Sequence, residues 1–275
     1  MLAYADPVMN ASATHIARDA SNSSTLQLLA RLGFAVNGLL HILIGSIAIT
    51  VAVGAGSGSA DQSGALAQLA SNPGGVFLLW TVVVGMFALG LWLLVSAFVM
   101  QGESKRKWSR RLANVAKALV YIALGATALT FAQGGSSSSA DSTQSASSSL
   151  LSSPGGVIVL LLAGVAVLGV AGYFIYKGAA QKFRSDLAVP SGPAGRAVIA
   201  LGVVGYVAKG IALAVVAVLI GVAALTNDAS KSTGLDGAIK ALAALPFGSI
   251  GLILIGIGLI AYGLYCFVRA RRARL

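Results

Sequence analysis

Six stretches of the chain, roughly 32–53, 76–100, 112–132, 156–176, 198–226 and 247–268, are apolar over a length of about 20 residues or more. A helix of that length spans the hydrocarbon core of a bilayer, and lipid offers no partner for an unpaired backbone N–H or C=O. A β-barrel would instead show segments of about 10 residues alternating apolar and polar, which these are not. The expected fold class is all-α: a polytopic membrane protein with six transmembrane helices. Only 10% of the residues are charged, against about 25% in soluble domains, too few to solvate a globular surface of this size.

Charge placement predicts orientation. The net charge of +11 is gathered next to the spans: Lys105, Arg106, Lys107, Arg110 and Arg111, then Lys177, Lys182, Arg184 and Arg196, then Arg269, Arg271, Arg272 and Arg274. Segments 54–75 and 133–155 contain no Lys or Arg, and 227–246 sets Lys231 and Lys240 against Asp228 and Asp236. Such alternation follows the positive-inside rule. It places both termini and loops 101–111 and 177–197 in the cytoplasm. The basic collar of Lys105, Arg106, Lys107, Arg110, Arg111, Lys182, Arg184, Arg269, Arg271 and Arg272 is expected to meet anionic lipid headgroups, at about 1 kcal/mol per residue near the surface. Nucleic acid is not an expected partner. Residues 1–30 lack the basic and apolar regions of a signal peptide and read as a mobile cytoplasmic tail. The single cysteine, Cys266, reads as an inert thiol packed in the last span.

The spans form three copies of one pair. Arg31 to Arg111 and Asn37 to Lys117 are both 80 residues apart, and Lys117 to Lys209 is 92. Pro73, Pro154 and Pro246, in NPGG, SPGG and LPFG, are spaced by 81 and 92 and stand just before the second helix of each pair, where a missing N–H is tolerated. Small residues follow each proline at 12 and 17 positions (Gly85/Gly90, Ala166/Ala171, Gly258/Gly263) and an aromatic at 19 (Trp92, Tyr173, Tyr265). Small residues let helices approach closely in lipid. The expected organisation is a tail (1–30) and hairpin repeats over 31–104, 105–190 and 191–275, all parallel, around a pseudo-threefold axis. The outer segments SGALAQLASNPGG (63–75) and DGAIKALAALPFG (236–248) read as short amphipathic helices, with Asp236 as an N-cap. Their middle counterpart, 136–156, is a serine tract expected to be mobile.

The pattern is an Arg (Arg31, Arg111), a Lys or Asn in the first helix (Asn37, Lys117, Lys209), then GAL..LA..P.G over 64–75, echoed in 237–248, and a Gly-rich second helix ending in an aromatic, with the middle copy departing in its serine tract. It resembles the bacterial membrane family called "domain of unknown function 1206". The resemblance covers residues 30–268 as three copies and is closest in 236–265, DGAIKALAALPFGSIGLILIGIGLIAYGLY. It implies a six-helix protein of unassigned activity and supplies no catalytic residues.

Three polar groups interrupt the first helix of each pair: Asn37, Lys117 and Lys209. Each lies roughly 24–27 Å from the outer end of its helix, a few ångström beneath the cytoplasmic boundary. None of the eight acidic residues falls inside a span. Two readings stand open. The lysines snorkel to headgroups, or they face inward as an anion site. His41 and Tyr121, four residues on from Asn37 and Lys117, extend a polar stripe one turn deeper. This stripe favours an inward Lys117 more than an inward Lys209, whose counterpart position is Leu213. His41 itself reads as a hydrogen-bonded packing residue. Metal-ligand spacings, a nucleophilic triad, paired intramembrane acids and a P-loop are all missing from the sequence, so no metal or cofactor is expected. The expected function is that of a non-enzymatic accessory or scaffold membrane protein, with membrane lipids and other membrane proteins as partners. The alternative is an anion or small-solute transporter with a basic inner mouth.

Overall fold

The computed structural model describes residues 24–56, 58–99 and 105–273. Among them the chain is helical, with one isolated bridge between Leu187 and Ala273 in place of any strand. The long helices are α1 (Ser24–Ala52), α3 (Gly75–Val99), α4 (Lys105–Ala132), α6 (Gly156–Ala179), α7 (Gly192–Thr226) and α9 (Gly248–Arg272). All six are long and apolar enough to cross a membrane. Residues 24–30 belong to α1 rather than to the tail, and the rest of the tail lies outside the described residues. Helix α7 has 35 residues, about 52 Å, longer than the hydrocarbon core of a bilayer at about 30 Å.

Three shorter helices, α2 (Gln62–Ala70), α5 (Ser139–Leu151) and α8 (Gly234–Ala243), cap the opposite, non-basic end. The serine tract expected to be mobile is therefore helix α5. Its start is capped by Ser138, whose side chain accepts from the Asp141 N–H. Several serine hydroxyls bond back to carbonyls four residues earlier, which satisfies the hydroxyls without stabilising the helix. Tertiary contacts do the rest. Ser147 is buried and donates to the buried Ser232 hydroxyl at 2.9 Å, the Ser139 N–H donates to Ser63 Oγ, and Leu150 and Leu151 pack beside Leu160 and Ala238. Asp236 is not the N-cap of its helix. Thr233 holds that position, while the buried Asp236 carboxylate accepts from the Ala60 N–H at 3.0 Å and pairs with Lys240 at 2.7 Å. A distant peptide N–H and an ammonium thus occupy the oxygens a cap would have used. Asp61 does cap α2, accepting from the Gly64 N–H.

The Pro-x-Gly turns enter all three second helices alike. Gly75, Gly156 and Gly248 each donate an N–H three residues back, to Asn72, Ser153 and Leu245. A Cβ at any of the three would collide with the carbonyl oxygen of Leu69, Leu150 or Leu242, so each must be glycine. The residue before it sits at positive φ: Gly74 at 78°, Gly155 at 75° and Phe247 at 61°. Open space surrounds Gly74 and Gly155, so glycine is favoured there by backbone conformation alone, and the third copy tolerates Phe.

The helices pack as an incomplete ring in the order α4–α3–α1–α9–α7–α6. The second helix of each copy packs on the first helix of the next: α3 on α4, α6 on α7, α9 on α1. Within copies, α1 packs on α3 and α7 on α9, but α4 and α6 make no extended contact. A closed threefold ring is therefore not formed. Helices α1 and α9 approach closely at glycines, with Gly38 against the Gly263 carbonyl and Gly45 against that of Gly256. Only 22% and 17% of the apolar windows of α4 and α6 are buried, against 56% for α1.

Candidate functional site

The small positions explain the gap. Twelve residues past the proline, Gly85 faces Gly33 and Val36 of α1, and Gly258 faces Ala208 of α7, each in its own copy. Seventeen residues past, Gly90 faces Ala118 of α4 and Gly263 faces Gly38 of α1, each in the next copy. In the middle copy the second contact is kept, with Ala171 buried against Gly210 of α7. The first is not: Ala166 is exposed. By the 80-residue offset its partners would be Ala113 and Ala116 on α4, and both are exposed too. Two small-residue faces thus stand uncovered on either side of a slit.

The polar residues of the spans gather at the basic end of the ring interior. His41 is buried on α1, with Nδ1 2.8 Å from the Asn37 carbonyl oxygen and Nε2 3.0 Å from Lys209 Nζ on α7. Nδ1 must donate to the carbonyl, which leaves Nε2 as acceptor for the ammonium. No carboxylate among the described residues pairs with Lys209. Its charge lies instead over the rings of Tyr262 at 4.5 Å and Phe174 at 5.3 Å, a desolvated cation–π arrangement. The buried Asn37 side chain does not join this pair; its Nδ2 points to Cys266 Sγ at 3.5 Å.

Lys117 goes elsewhere. It is exposed and makes no hydrogen bond or ion pair with a described residue. Tyr121, one turn deeper on the same face of α4, packs among interior residues, so this face looks into the ring. Lys117 is exposed because α6 does not come up to meet it. The inward face expected for Lys117 is kept, but the stripe is not shared: Lys209, not Lys117, meets His41, and the three equivalent positions do not form one site. The cause is the broken ring. Equivalent positions share a depth, but only two of the three copies are closed.

Around Lys117 stand groups that sequence reasoning placed only as collar or interface residues. Lys177 on α6 pairs with Asp186 at 2.6 Å and lies over the Tyr206 ring at 5.2 Å. Asp186 is delivered by a short 3₁₀ helix, Lys182–Asp186, pinned to α9 by the Ala188 N–H donating to the Arg272 carbonyl and by Phe183 buried among Tyr206, Tyr262 and Tyr265. Arg269 lies with its guanidinium 4.3 Å from the centre of the Phe34 ring and 4.0 Å from Asp186 Oδ2. Its Nε is buried without a hydrogen-bond partner. The charges of Lys177, Arg269 and Asp186 all act on Lys117. Of the collar, Arg110, Lys182, Arg184, Arg271 and Arg272 are exposed and Arg111 is part-buried, while the side chains of Lys105, Arg106 and Lys107 lie outside the description. Of the clustered Tyr206, Tyr262 and Tyr265, sequence reasoning singled out only Tyr265, as an aromatic near the end of the last span. Among the described residues no group of three metal-ligating side chains converges.

Fold and repeat together define a class: a helical membrane protein assembled from three tandem copies of a two-helix unit. The chain belongs to the family described as Domain of Unknown Function (DUF1206), whose model matches residues 32–99, 112–181 and 204–273. It is also 30% identical over 250 residues to the "Uncharacterized protein YxxB" of Bacillus subtilis (strain 168), covering 87% of this chain and 88% of that protein. No solved structure matches the chain.

Proposed function

We propose that this chain is a non-enzymatic accessory protein of the bacterial plasma membrane, basic end in the cytoplasm, whose open side between α4 and α6 receives another membrane component. The observation that carries the reading is the uncovered pair of faces, Ala113/Ala116/Val120 on α4 and Ala166/Val170 on α6, at positions that the other two copies cover with a helix. Exposed small-residue faces in lipid are suited to close packing against a partner. The test is photo-crosslinking in native membranes, with a benzophenone amino acid at Val120 or Val170 and, as control, at the exposed Val84 of α3. Discrete adducts from 120 and 170 and none from 84 are expected; no adducts, or equal adducts at all three, defeats the reading. Orientation is checked in a Cys266→Ala background by an impermeant thiol reagent on intact cells. Ser145→Cys on α5 is expected to label and Ser185→Cys at the basic end to be spared.

A second reading, an anion transporter, is favoured by the part-buried Lys209 at the foot of a basic mouth. Beyond Lys209 the outer half is packed solid by Ile44, Leu66, Leu79, Met86 and Leu252, so transport would require those side chains to part. Saturable anion uptake by proteoliposomes that is lost in Lys209→Met would favour this reading over the first.

A further inference from the structure

We infer that the slit between α4 and α6 is a binding site for the phosphate headgroup of an anionic lipid from the leaflet at the basic end, held by Lys117 and Arg269. This rests on the proposed open side and names its occupant. Three observations converge. Among the described residues, Lys177 and Arg269 bring two further cations to the basic end near Lys117, against one carboxylate, Asp186, which is already committed to Lys177 at 2.6 Å. Two of the cations have donor capacity to spare: Lys117 makes no bond to a described residue, and Arg269 has a buried Nε without a partner and only a 4.0 Å approach to Asp186. A guanidinium and an ammonium at the same end of the helices suit a phosphodiester, which accepts from both. The tyrosine one turn inward on each limb, Tyr121 and Tyr173, adds an amphipathic ring at the depth where headgroup gives way to acyl chain.

The apolar half of the slit fits the rest of the molecule. Outward from Lys117 the walls are Val120 and Ala123 on α4 and Ala166 and Val170 on α6, all exposed and uncharged. They offer a shallow lane for an acyl chain where the other two copies have a helix. Charge decides the occupant: an apolar partner helix would leave Lys117 and Arg269 unsatisfied in a low-dielectric slit, whereas an anionic lipid neutralises them while filling the same space.

The test uses the full chain in nanodiscs of phosphatidylcholine, titrated with phosphatidylglycerol at fixed ionic strength and followed by thermal unfolding. Phosphatidylglycerol is expected to raise the wild-type midpoint by at least about 3 °C. Lys117→Gln, which removes an exposed side chain without breaking a bond, is expected to fold normally and to lose most of that rise. Arg196→Gln, an equal loss of charge on the exposed start of α7, is expected to keep it. Inorganic phosphate is expected to leave the midpoint unmoved. Equal responses to the two lipids, an undiminished response in Lys117→Gln, or full stabilisation by inorganic phosphate would each overturn the assignment. Crosslinks from Val120 and Val170 separate the levels: if they persist while the lipid effect is absent, the lipid is the wrong occupant, and if they are absent the open-side reading falls with it.

Discussion

The His41–Lys209 pair is an asymmetric interaction, and the asymmetry can be measured. Lys209 brings the charge, and His41 Nε2 is its hydrogen-bond acceptor at 3.0 Å. Removing the acceptor leaves an ammonium among Tyr262 and Phe174 with no lone pair to donate to; removing the ammonium leaves a neutral imidazole still bonded to the Asn37 carbonyl. His41→Leu is therefore expected to destabilise the protein by about 2 kcal/mol or more. Lys209→Met should lie within about 1 kcal/mol of wild type, and the double variant should recover most of the His41→Leu loss. SDS-driven unfolding in mixed micelles measures all three, and equal losses in the two single variants would refute this account. The Pro-x-Gly turn offers a second contrast on neighbouring residues. Gly155→Ala meets only backbone strain at positive φ, about 1 kcal/mol. Gly156→Ala drives a Cβ into the Leu150 carbonyl and is expected to cost at least about 2 kcal/mol more. The same unfolding assay decides, and an equal effect at both positions would show that the clash relaxes.

Among the elements, the serine helix α5 holds the outer cap together. Its Ser139 backbone N–H donates to Ser63 Oγ of α2, and its Ser147 hydroxyl donates to Ser232 in the loop before α8. Ser147→Ala leaves the buried Ser232 hydroxyl without its partner and should cost about 1 kcal/mol. Ser145→Ala, exposed on the same helix, should be neutral or slightly stabilising, since alanine is the better helix former. Thermal unfolding in detergent separates the two; a neutral Ser147→Ala would mean that α5 lies on the cap without bonding to it. That a run so rich in serine forms a helix is a tertiary effect. Serine competes for its own backbone in isolation, and partners from α2 and the α7–α8 loop tip the balance.

At the scale of the molecule, the defining feature is a ring with one contact missing. Pairs of cysteines at equivalent positions report on it directly in a Cys266→Ala background. Val36→Cys/Gly85→Cys joins α1 to α3, where a Cβ on Gly85 would lie about 3 Å from the Val36 side chain, and should form a disulfide under mild oxidant. Ala116→Cys/Ala166→Cys, the same pair one copy later, should stay reduced because α4 and α6 stand apart. Ready crosslinking of the second pair, read as a mobility shift on a non-reducing gel, would show that the ring closes in solution and that the slit is not standing open for an occupant.

The sequence by itself determined the class of object and its internal repeat. Span length follows from the thickness of the bilayer core, and helix is the form that satisfies the backbone within a single apolar segment, so six apolar runs become six helices. The glycine after Pro73, Pro154 and Pro246 recurs at fixed offset because the turn leaves no room for a Cβ, and such steric demands survive in each copy. Position along each helix was legible too, since it is a count of residues from a helix end. Direction was not. Asn37, Lys117 and Lys209 stand at one register and meet a cysteine, an open slit and a histidine, because what a span residue touches depends on which neighbouring helix is present. That neighbour was set by the packing of α6 on α7 and of α4 on α3, each chosen over the hairpin partner in its own copy. No local periodicity records that α4 and α6, joined in sequence as one hairpin, would stand apart in the fold.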